Sequence, residues 1–198
     1  MKTAAKPQLE RRKPVSDDRL VARCRQGDEQ AWATLVDKYK NLIYSIPIKL
    51  GLYDDAADIF QAVCLDLLTS LPNLREPRAL PKWLMQVCYH KCLHYRAGAK
   101  KEVRLAEAGD EGLDAQEDAS PLPEDMLAQL EREQMVRSVV SGLTARCERM
   151  VRMLFFETPP RPYQEIAKEL GVATGSIGFL RGRCLIRMRK ELEKMGFQ

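Results

Sequence analysis

Apolar residues recur at steps of three and four along most of this chain, a spacing that places them on one face of an α-helix. The longest such run lies between Asp28 and Pro47. Its apolar positions are Ala31, Trp32, Leu35, Val36, Tyr39, Leu42, Ile43 and Ile46. The strict alternation of apolar and polar residues that is typical of strands is nearly absent. The pattern therefore predicts an all-α fold.

Capping residues, glycines and prolines divide the pattern into a series of helices. Ser16 or Asp17 can cap the first helix, and Gly27 ends it. Asp28 can cap the second helix, which Pro47 is expected to kink or close because proline lacks an amide proton. The predicted helices cover residues 16–25, 28–47, 54–70, 82–96, 124–141, 144–156, 163–170 and 174–195.

The stretch over residues 97–123 differs in composition from the rest of the chain. It contains several glycines and prolines, is strongly acidic and has few large apolar residues, which is typical of a linker. We therefore predict two small helical domains joined by an acidic flexible linker. The predicted boundaries are a basic disordered arm over 1–15, a first domain over 16–100, the linker over 101–123 and a second domain over 124–198.

Composition and charge narrow the class of protein. Of the 198 residues, 45% are hydrophobic, which is enough for the cores of two small domains. The net charge of +4 is modest, but residues 1–15 and 174–198 are basic while residues 102–125 are acidic. No apolar run reaches the ~18 residues that span a bilayer, and no apolar segment of a secretory signal follows the first basic residues. We therefore expect a cytoplasmic protein without a membrane partner, in which all six cysteines are reduced.

Residues 163–192 carry the strongest local motif, a helix-turn-helix. The small Ala167 lets two helices approach, Gly171 permits a left-handed turn, and Ile177 packs into the angle. In such motifs the second helix enters the major groove of DNA, where arginine contacts guanine edges or phosphates. The alternative is a basic helix that is merely solvated. The predicted DNA contacts are Thr174, Ser176, Phe179, Arg181, Arg183 and Arg187.

Two blocks of the first predicted domain have a characteristic order of residues. The first block, over 17–39, contains Leu20, Gly27, Asp28, Ala31, Trp32, Leu35 and Tyr39, and the second, over 55–68, contains Asp55, Asp58, Gln61, Val63, Leu65 and Leu67. The first block resembles the opening of the two-domain extracytoplasmic-function (ECF) sigma factors, which give bacterial RNA polymerase its promoter specificity. The second block resembles the polymerase-binding helix of that family.

The remaining blocks follow in the order found in the same family. A Leu-Pro step and a polar loop precede a helix that opens at Trp83 and ends in Arg96. Residues 142–156, followed by the helix-turn-helix, are similar to the family's domain for the upstream promoter element. The resemblance covers both predicted domains and leaves the linker unmatched.

The resemblance implies a non-catalytic alternative sigma factor whose partners are core RNA polymerase and promoter DNA. The outer face of the helix over 54–70 would bind the coiled coil of the polymerase's largest subunit, the alternative being an ordinary solvated face. The implied polymerase-binding residues are Asp58, Gln61, Ala62, Leu65 and Asp66. Many members of the family also have an anti-sigma factor as a partner.

The resemblance also implies that the loop over 71–81 and the helix after it hold the melted −10 element. Single-stranded DNA is bound by bases that stack on aromatic rings or sit in pockets, and by cations along its backbone. Trp83, Val87 and Tyr95 are better explained as packing residues. The candidate contacts are Asn73, Arg75, Lys82, Gln86, His90 and Lys91. The helix-turn-helix would then recognise the −35 element as duplex.

Alternating cysteines and histidines over residues 88–94 suggest a zinc site. On one helix, however, Cys88 and Cys92 share one face while His90 and His94 lie roughly 200° away. Four ligands so placed cannot surround one tetrahedral ion, so we predict no metal site. A redox-sensing pair stays open, although no spacing demands one. The cysteines predicted to be small core residues are Cys88 and Cys92, together with Cys24, Cys64, Cys147 and Cys184.

Two other classes of function compete with a sigma factor. A free-standing helix-turn-helix regulator would bind DNA without polymerase, but it leaves the ordered blocks over 17–96 unexplained. An enzyme is disfavoured because the chain lacks a phosphate-binding loop, a nucleophile elbow and a convergent carboxylate pair. We therefore expect neither catalysis nor a cofactor. Binding to core polymerase separates a sigma factor from a regulator.

Overall fold

A computed structural model shows that the chain is all-α, which confirms the predicted fold class. It describes the backbone of residues 15–108 and 120–197, and the side chains of residues 15–98 and 120–197. No strand occurs in these ranges. The helices are α1 (Asp17–Arg25), α2 (Glu29–Lys49), α3 (Ala56–Ser70), α4 (Leu80–Ala108), α5 (Glu124–Ser141), α6 (Ala145–Phe155), α7 (Tyr163–Leu170) and α8 (Ile177–Lys194). Short 3-10 turns cover Leu71–Asn73, Pro77–Ala79 and Thr174–Ser176.

The described chain divides into two compact units, a first unit over 15–131 and a second unit over 132–197. In the first unit, α2 packs against α1, α3 and α4. The core is formed by the apolar stripes that the sequence pattern marks on these helices. Its most deeply buried side chains include Leu20, Leu35, Leu42, Ile43, Ile46, Ile59, Val63, Leu80 and Leu84.

Asp28 begins α2 as a side-chain cap, as predicted. Its Oδ1 accepts a hydrogen bond from the Ala31 amide at 3.0 Å, and its Oδ2 accepts one from Arg23 Nε at 2.8 Å. The Ala31 amide and then the Arg23 guanidinium lower the pKa of the Asp28 carboxyl. A lowered pKa means that the carboxylate stabilises the fold above its unfolded-state pKa, and that this contribution is lost as the pH falls through the folded-state pKa.

Replacing Asp28 with alanine is expected to lower the urea midpoint of the first unit, because α2 loses the acceptor for a free amide in its first turn. Asp28→Asn keeps a capping oxygen but loses the charge, so its midpoint should lie between those of alanine and the wild type. The midpoint of the asparagine variant should also fall less steeply than that of the wild type as the pH is lowered. Circular dichroism at several pH values measures both effects, and equal midpoints at neutral pH would contradict the role of the cap.

Pro47 does not close α2, which continues to Lys49. A proline inside a helix leaves the carbonyl four residues earlier without its usual donor, here that of Ile43. The Cys88 thiol of α4 donates to this carbonyl at 3.4 Å. A hydrogen bond with Cys92 and burial raise the pKa of the Cys88 thiol, so the proton that it donates is retained. Of the two predicted effects of Pro47, closing the helix does not occur, and a tertiary contact supplies the donor that the proline lacks.

Helix α4 extends to Ala108, well beyond its predicted end at Arg96. After Gly98 the sequence consists mainly of alanine, lysine, glutamate and leucine, which are good helix formers. Residues 101–108 of the predicted linker are therefore helical. Residues 109–119 of the predicted linker lie outside the described residues. Residues 1–14 of the predicted basic arm lie outside them as well.

The first half of α5 packs into the core of the first unit. Leu122, just before the helix, is 5% exposed, and Leu130 is fully buried. Met126 and Leu127 pack against the same core. The division between the units therefore falls inside α5, after Glu131, whereas the sequence analysis assigns all of α5 to the second domain. Periodicity shows that a helix has an apolar face but not which core that face covers.

The second unit closes its core around a turn between α7 and α8. Gly171 follows α7 with φ +63° and ψ +41°, in the left-handed region that favours glycine. The Val172 amide donates to the Ala167 carbonyl at 3.0 Å and completes the turn. The predicted apolar stripe faces the core, with Ile166, Ala167, Ile177 and Cys184 buried and Leu170, Val172, Leu180 and Met188 packed against them.

Cys147 of α6 and Cys184 of α8 form a disulfide. The prediction that all six cysteines are reduced is therefore wrong for this pair. Packing of α6 against α8 brings together two positions that are 37 residues apart in sequence, with their Cα atoms 5.6 Å from each other. That separation lies in the usual range for a disulfide. The free cysteines are Cys24, Cys64, Cys88 and Cys92.

Candidate functional site

The outer face of α3 presents both polar and large apolar side chains. The opposite stripe, formed by Ile59, Val63 and Leu67, is buried as predicted. Leu65 and Leu68 are 57% and 54% exposed. We name the exposed row of Asp58, Gln61, Leu65 and Leu68 the α3 face. Two leucines that leave more than half of their surface in water on one helix face are typical of a docking surface.

Leu68 is a member of the α3 face that the sequence analysis misses. It is adjacent to the buried Leu67, so a purely periodic interpretation assigns it to neither face. The signal was available, because Leu65 and Leu68 are three residues apart and therefore lie on the same side of the helix. Of the other predicted residues, Ala62 is half-buried at the edge of the face.

Asp66 and Lys91 form an ion pair that connects α3 to α4. The Lys91 Nζ lies 2.9 Å from Asp66 Oδ2, and both side chains are about one-third exposed, at 31% and 39%. From the sequence, Asp66 is predicted to bind polymerase and Lys91 is predicted to bind DNA. The structure brings these two residues together in one ion pair, so the two predicted contacts lie next to each other on α3 and α4.

The loop between α3 and α4 exposes three of the predicted single-strand contacts. Asn73 lies in the first 3-10 turn, Arg75 lies between the two turns, and Lys82 lies in the first turn of α4. All three side chains are exposed. Two of them are cationic, which suits a strand of phosphates.

Arg25 of α1 anchors this loop, and it is not among the residues predicted from the sequence. Its Nε donates to the Leu71 carbonyl at 3.2 Å, and its Nη2 donates to the Leu74 carbonyl. The guanidinium therefore holds the backbone on both sides of Asn73. A residue that binds main-chain carbonyls 46 and 49 positions away leaves no pattern in the sequence.

Gln86 and His90 are half-buried and already engaged within the first unit. The His90 Nε2 lies 2.8 Å from Gln86 Nε2 and 3.3 Å from the Ser120 carbonyl oxygen. The Leu122 amide donates to Gln86 Oε1 at 3.4 Å. These two predicted DNA contacts therefore face the segment that leads into α5.

The histidines and cysteines of α4 lie on different sides of the helix. Cys88 and Cys92 are fully buried, whereas His90 is half-buried and His94 is exposed. Within the described residues, no group of three or more histidine, cysteine and carboxylate side chains is placed to hold a metal ion. Trp83, Val87 and Tyr95 pack against the core, as predicted.

In the second unit, the outer side of α8 carries the predicted duplex contacts. Thr174 and Ser176 lie in the 3-10 turn before the helix rather than in its first turn. Phe179 is 69% exposed, and the Arg183 guanidinium carbon lies 5.7 Å from the centre of its ring. Arg181 Nη1 donates to the Tyr163 hydroxyl of α7 at 2.8 Å.

The cations of α8 differ in whether a carboxylate neutralises them. Arg189 pairs with Glu193, and Lys194 pairs with Glu191, each at 2.8 Å. Arg183, Arg187 and Lys190 have no carboxylate within ion-pair distance in the part of the chain that the structure describes. Their spacing of four and three places these three cations on one side of α8. Lys190 is an addition to the predicted set.

Comparison with known proteins found two curated relatives and no matching family model. The chain is 21% identical to the ECF RNA polymerase sigma-E factor of Haemophilus influenzae over 168 residues, which are 82% of this chain and 88% of the relative. It is 24% identical to the ECF RNA polymerase sigma factor SigW of Bacillus subtilis over 181 residues, which are 88% of this chain and 96% of the relative. These relatives support the assignment of the chain to the ECF sigma factor family.

The likeness supports a role in transcription initiation, because both relatives are named as RNA polymerase sigma factors. The likeness covers most of the chain and therefore includes the first unit as well as the second. A free-standing regulator would not require its first unit to resemble a sigma factor. Among the described residues, no helix is long and apolar enough to cross a membrane.

Proposed function

We propose that this protein is an alternative sigma factor that binds core RNA polymerase through the α3 face, holds the melted −10 element with the loop over 71–81 and α4, and recognises the −35 element through α8. The observation that carries the proposal is the likeness to two RNA polymerase sigma factors over more than four-fifths of the chain. Such a likeness includes both units, so both are expected to contribute.

The composition of the α3 face supports its contact with polymerase. Protein interfaces combine an apolar centre with a polar rim, and here Leu65 and Leu68 lie beside Asp58 and Gln61. The buried stripe on the other side of α3 fixes the helix in the first unit. The face is therefore rigid before binding, which lowers the entropy lost on docking to the polymerase coiled coil.

The anchored loop supports the contact with the melted strand. Arg25 holds the loop backbone at Leu71 and Leu74, so Asn73 and Arg75 project from a fixed frame. Bases of single-stranded DNA must be unstacked before side chains can bind their edges, and a preformed surface compensates part of that cost.

The charge of α8 supports the contact with duplex. Arg183, Arg187 and Lys190 supply positive charge that no described carboxylate cancels, next to the exposed ring of Phe179. Phosphate contacts of this kind position a helix on DNA, while arginine and the residues of the preceding turn contact base edges.

The polymerase part of the proposal is tested by copurification of the tagged protein with bacterial core RNA polymerase. The wild type is expected to bring down the core enzyme. The double variant Asp58→Ala/Gln61→Ala is expected to recover roughly ten-fold less, because two polar rim contacts of about 0.7 kcal/mol each amount to one decade of affinity. Circular dichroism should be unchanged, since both side chains are exposed.

Asp37→Ala/Asn41→Ala is the matched control, because it removes an exposed acid and an exposed amide from α2 at similar helical spacing. It should recover polymerase as well as the wild type does. If no version of the protein retains core polymerase while all of them bind duplex DNA, the protein is a free-standing regulator and the proposal is wrong.

A further inference from the structure

We propose that residues 120–130, here named the cover segment, occupy part of the −10 surface in the free protein and must leave it before the melted strand binds. The −10 surface is the proposed contact area for the melted strand, formed by the loop over 71–81 and by the exposed side of α4 that includes Gln86 and His90. The inference rests on the proposed function, since it assigns a regulatory contact to that same surface. It concerns only residues of the first unit.

The first support comes from polar groups on α4 that the cover segment already uses. The Leu122 amide donates to Gln86 Oε1, and the Ser120 carbonyl oxygen lies 3.3 Å from His90 Nε2. Gln86 and His90 would use these same side-chain atoms to bind a base edge. A base and the cover segment therefore cannot occupy them at the same time.

The second support is the apolar face of the cover segment. Met126, Leu127 and Leu130 follow helical spacing on α5, Leu122 precedes the helix, and all four belong to or pack against the core of the first unit. Leu122 is 5% exposed and Leu130 is fully buried, so the segment is docked rather than loosely apposed. The two polar contacts therefore lie at the edge of a packed interface.

The third support is charge. Residues 120–130 carry Glu124 and Asp125 and no lysine or arginine, and Glu131 follows directly. All three carboxylates belong to exposed residues. The cover segment thus has the same sign of charge as a DNA strand, so the two repel each other over a common surface.

If a surface is uncovered in only a fraction of the molecules, the apparent affinity for its ligand is the intrinsic affinity multiplied by that fraction. Docking of the cover segment therefore lowers the apparent affinity of the free protein for single-stranded DNA without changing the contacts of the bound state. Any event that draws α5 away from α4 exposes Gln86 and His90 together.

The test compares the full-length wild type with Leu122→Asp, which places a charge in the docked apolar face. The probe is a fluorescent, short single-stranded DNA pool of random sequence. Leu122→Asp is expected to bind roughly five-fold more tightly than the wild type, which corresponds to a surface that is uncovered in about one-fifth of wild-type molecules. Pro123→Asp adds the same charge at the neighbouring exposed position without disturbing the apolar face, so it should bind no more tightly than the wild type.

Hydrogen exchange gives a second measurement that does not depend on the folding of a variant. Adding the DNA pool to the wild type should increase amide exchange over residues 122–130, because binding displaces the segment. If amide exchange over these residues is unchanged when the DNA is saturating, the proposal that the cover segment leaves the surface is wrong.

Gln86→Ala separates the two ways in which the inference can fail. If Leu122→Asp binds no more tightly than the wild type and Gln86→Ala weakens both proteins, the cover is wrong and the −10 surface stands. If neither the wild type nor Leu122→Asp binds the pool, or if Gln86→Ala has no effect on either, the assignment of the −10 surface is wrong. The proposed role of the cover segment is then wrong as well.

Discussion

Replacing both Arg183 and Arg187 with alanine should weaken binding to duplex DNA by about two orders of magnitude, since each arginine contact with a base or phosphate contributes roughly 1 to 3 kcal/mol. Both side chains are exposed, and they lie one turn apart on the same side of α8. No described carboxylate neutralises either of them, so their charge acts fully on an approaching phosphate.

The salt dependence of binding provides an independent check on the same variant. Each phosphate contact that is lost lowers the slope of log affinity against log salt concentration by roughly 0.9. Fluorescence anisotropy with a linear duplex of mixed sequence, repeated over a salt series, measures the affinity and the slope together.

Arg189→Ala/Lys194→Ala is the control, because it removes the same formal charge from the same helix. These two cations are already paired with Glu193 and Glu191. Their loss should weaken binding by no more than about five-fold, since a cation paired on the surface attracts phosphate less strongly. If the control variant loses as much affinity as the Arg183/Arg187 variant, then only the total charge matters and α8 has no specific contact face.

Reduction of the Cys147–Cys184 bond should lower the free energy of unfolding of the second unit by roughly 4 kcal/mol. Closing a loop of this length restricts the unfolded chain by about that amount in the chain-entropy treatment. The bond joins α6 to α8, so its reduction removes a covalent link from the helix that carries the proposed duplex contacts.

The two tryptophans make the measurement selective. Trp32 and Trp83 both belong to the first unit, whereas the second unit has none. Tryptophan fluorescence during guanidinium unfolding should therefore be the same with and without dithiothreitol. The circular dichroism signal, which reports both units, should show an earlier transition in the reduced protein.

Cys147→Ala provides the control, since its unfolding should no longer respond to dithiothreitol. Mass spectrometry establishes that the wild-type sample carries the bond before reduction. Superimposable circular dichroism curves for oxidised and reduced wild type would contradict the expected stabilisation.

The elements that the sequence predicts well are those with local signals. Helices α5 and α7 begin and end at the predicted residues, and the turn at Gly171 follows from a glycine at a helix end. The buried stripes of α3 and α8 follow from spacing alone. Asp28 is recognisable as a cap because an aspartate stands directly before the periodic apolar run, where its carboxylate can accept a hydrogen bond from the amide of Ala31.

The differences between prediction and structure come from contacts between distant residues. Cys88 supplies the donor that Pro47 lacks across 45 positions, so α2 does not stop where local rules place its end. The disulfide depends on how α6 meets α8, and the docking of Leu122 depends on how α5 meets α4. Local sequence shows a thiol or an apolar face in each case, but it does not show what the group contacts.

The way in which Arg25 holds the loop over 71–81 has a consequence for engineering promoter choice. Its acceptors are the carbonyl oxygens of Leu71 and Leu74, which every amino acid provides. The side chains at 73 and 75 can therefore be exchanged without removing the anchor. Under the proposed function, the side chains of the loop can be varied while Arg25 keeps its backbone in place. Libraries randomised at positions 73 and 75, with Arg25 retained, are therefore the direct route to sigma factors with new −10 preferences.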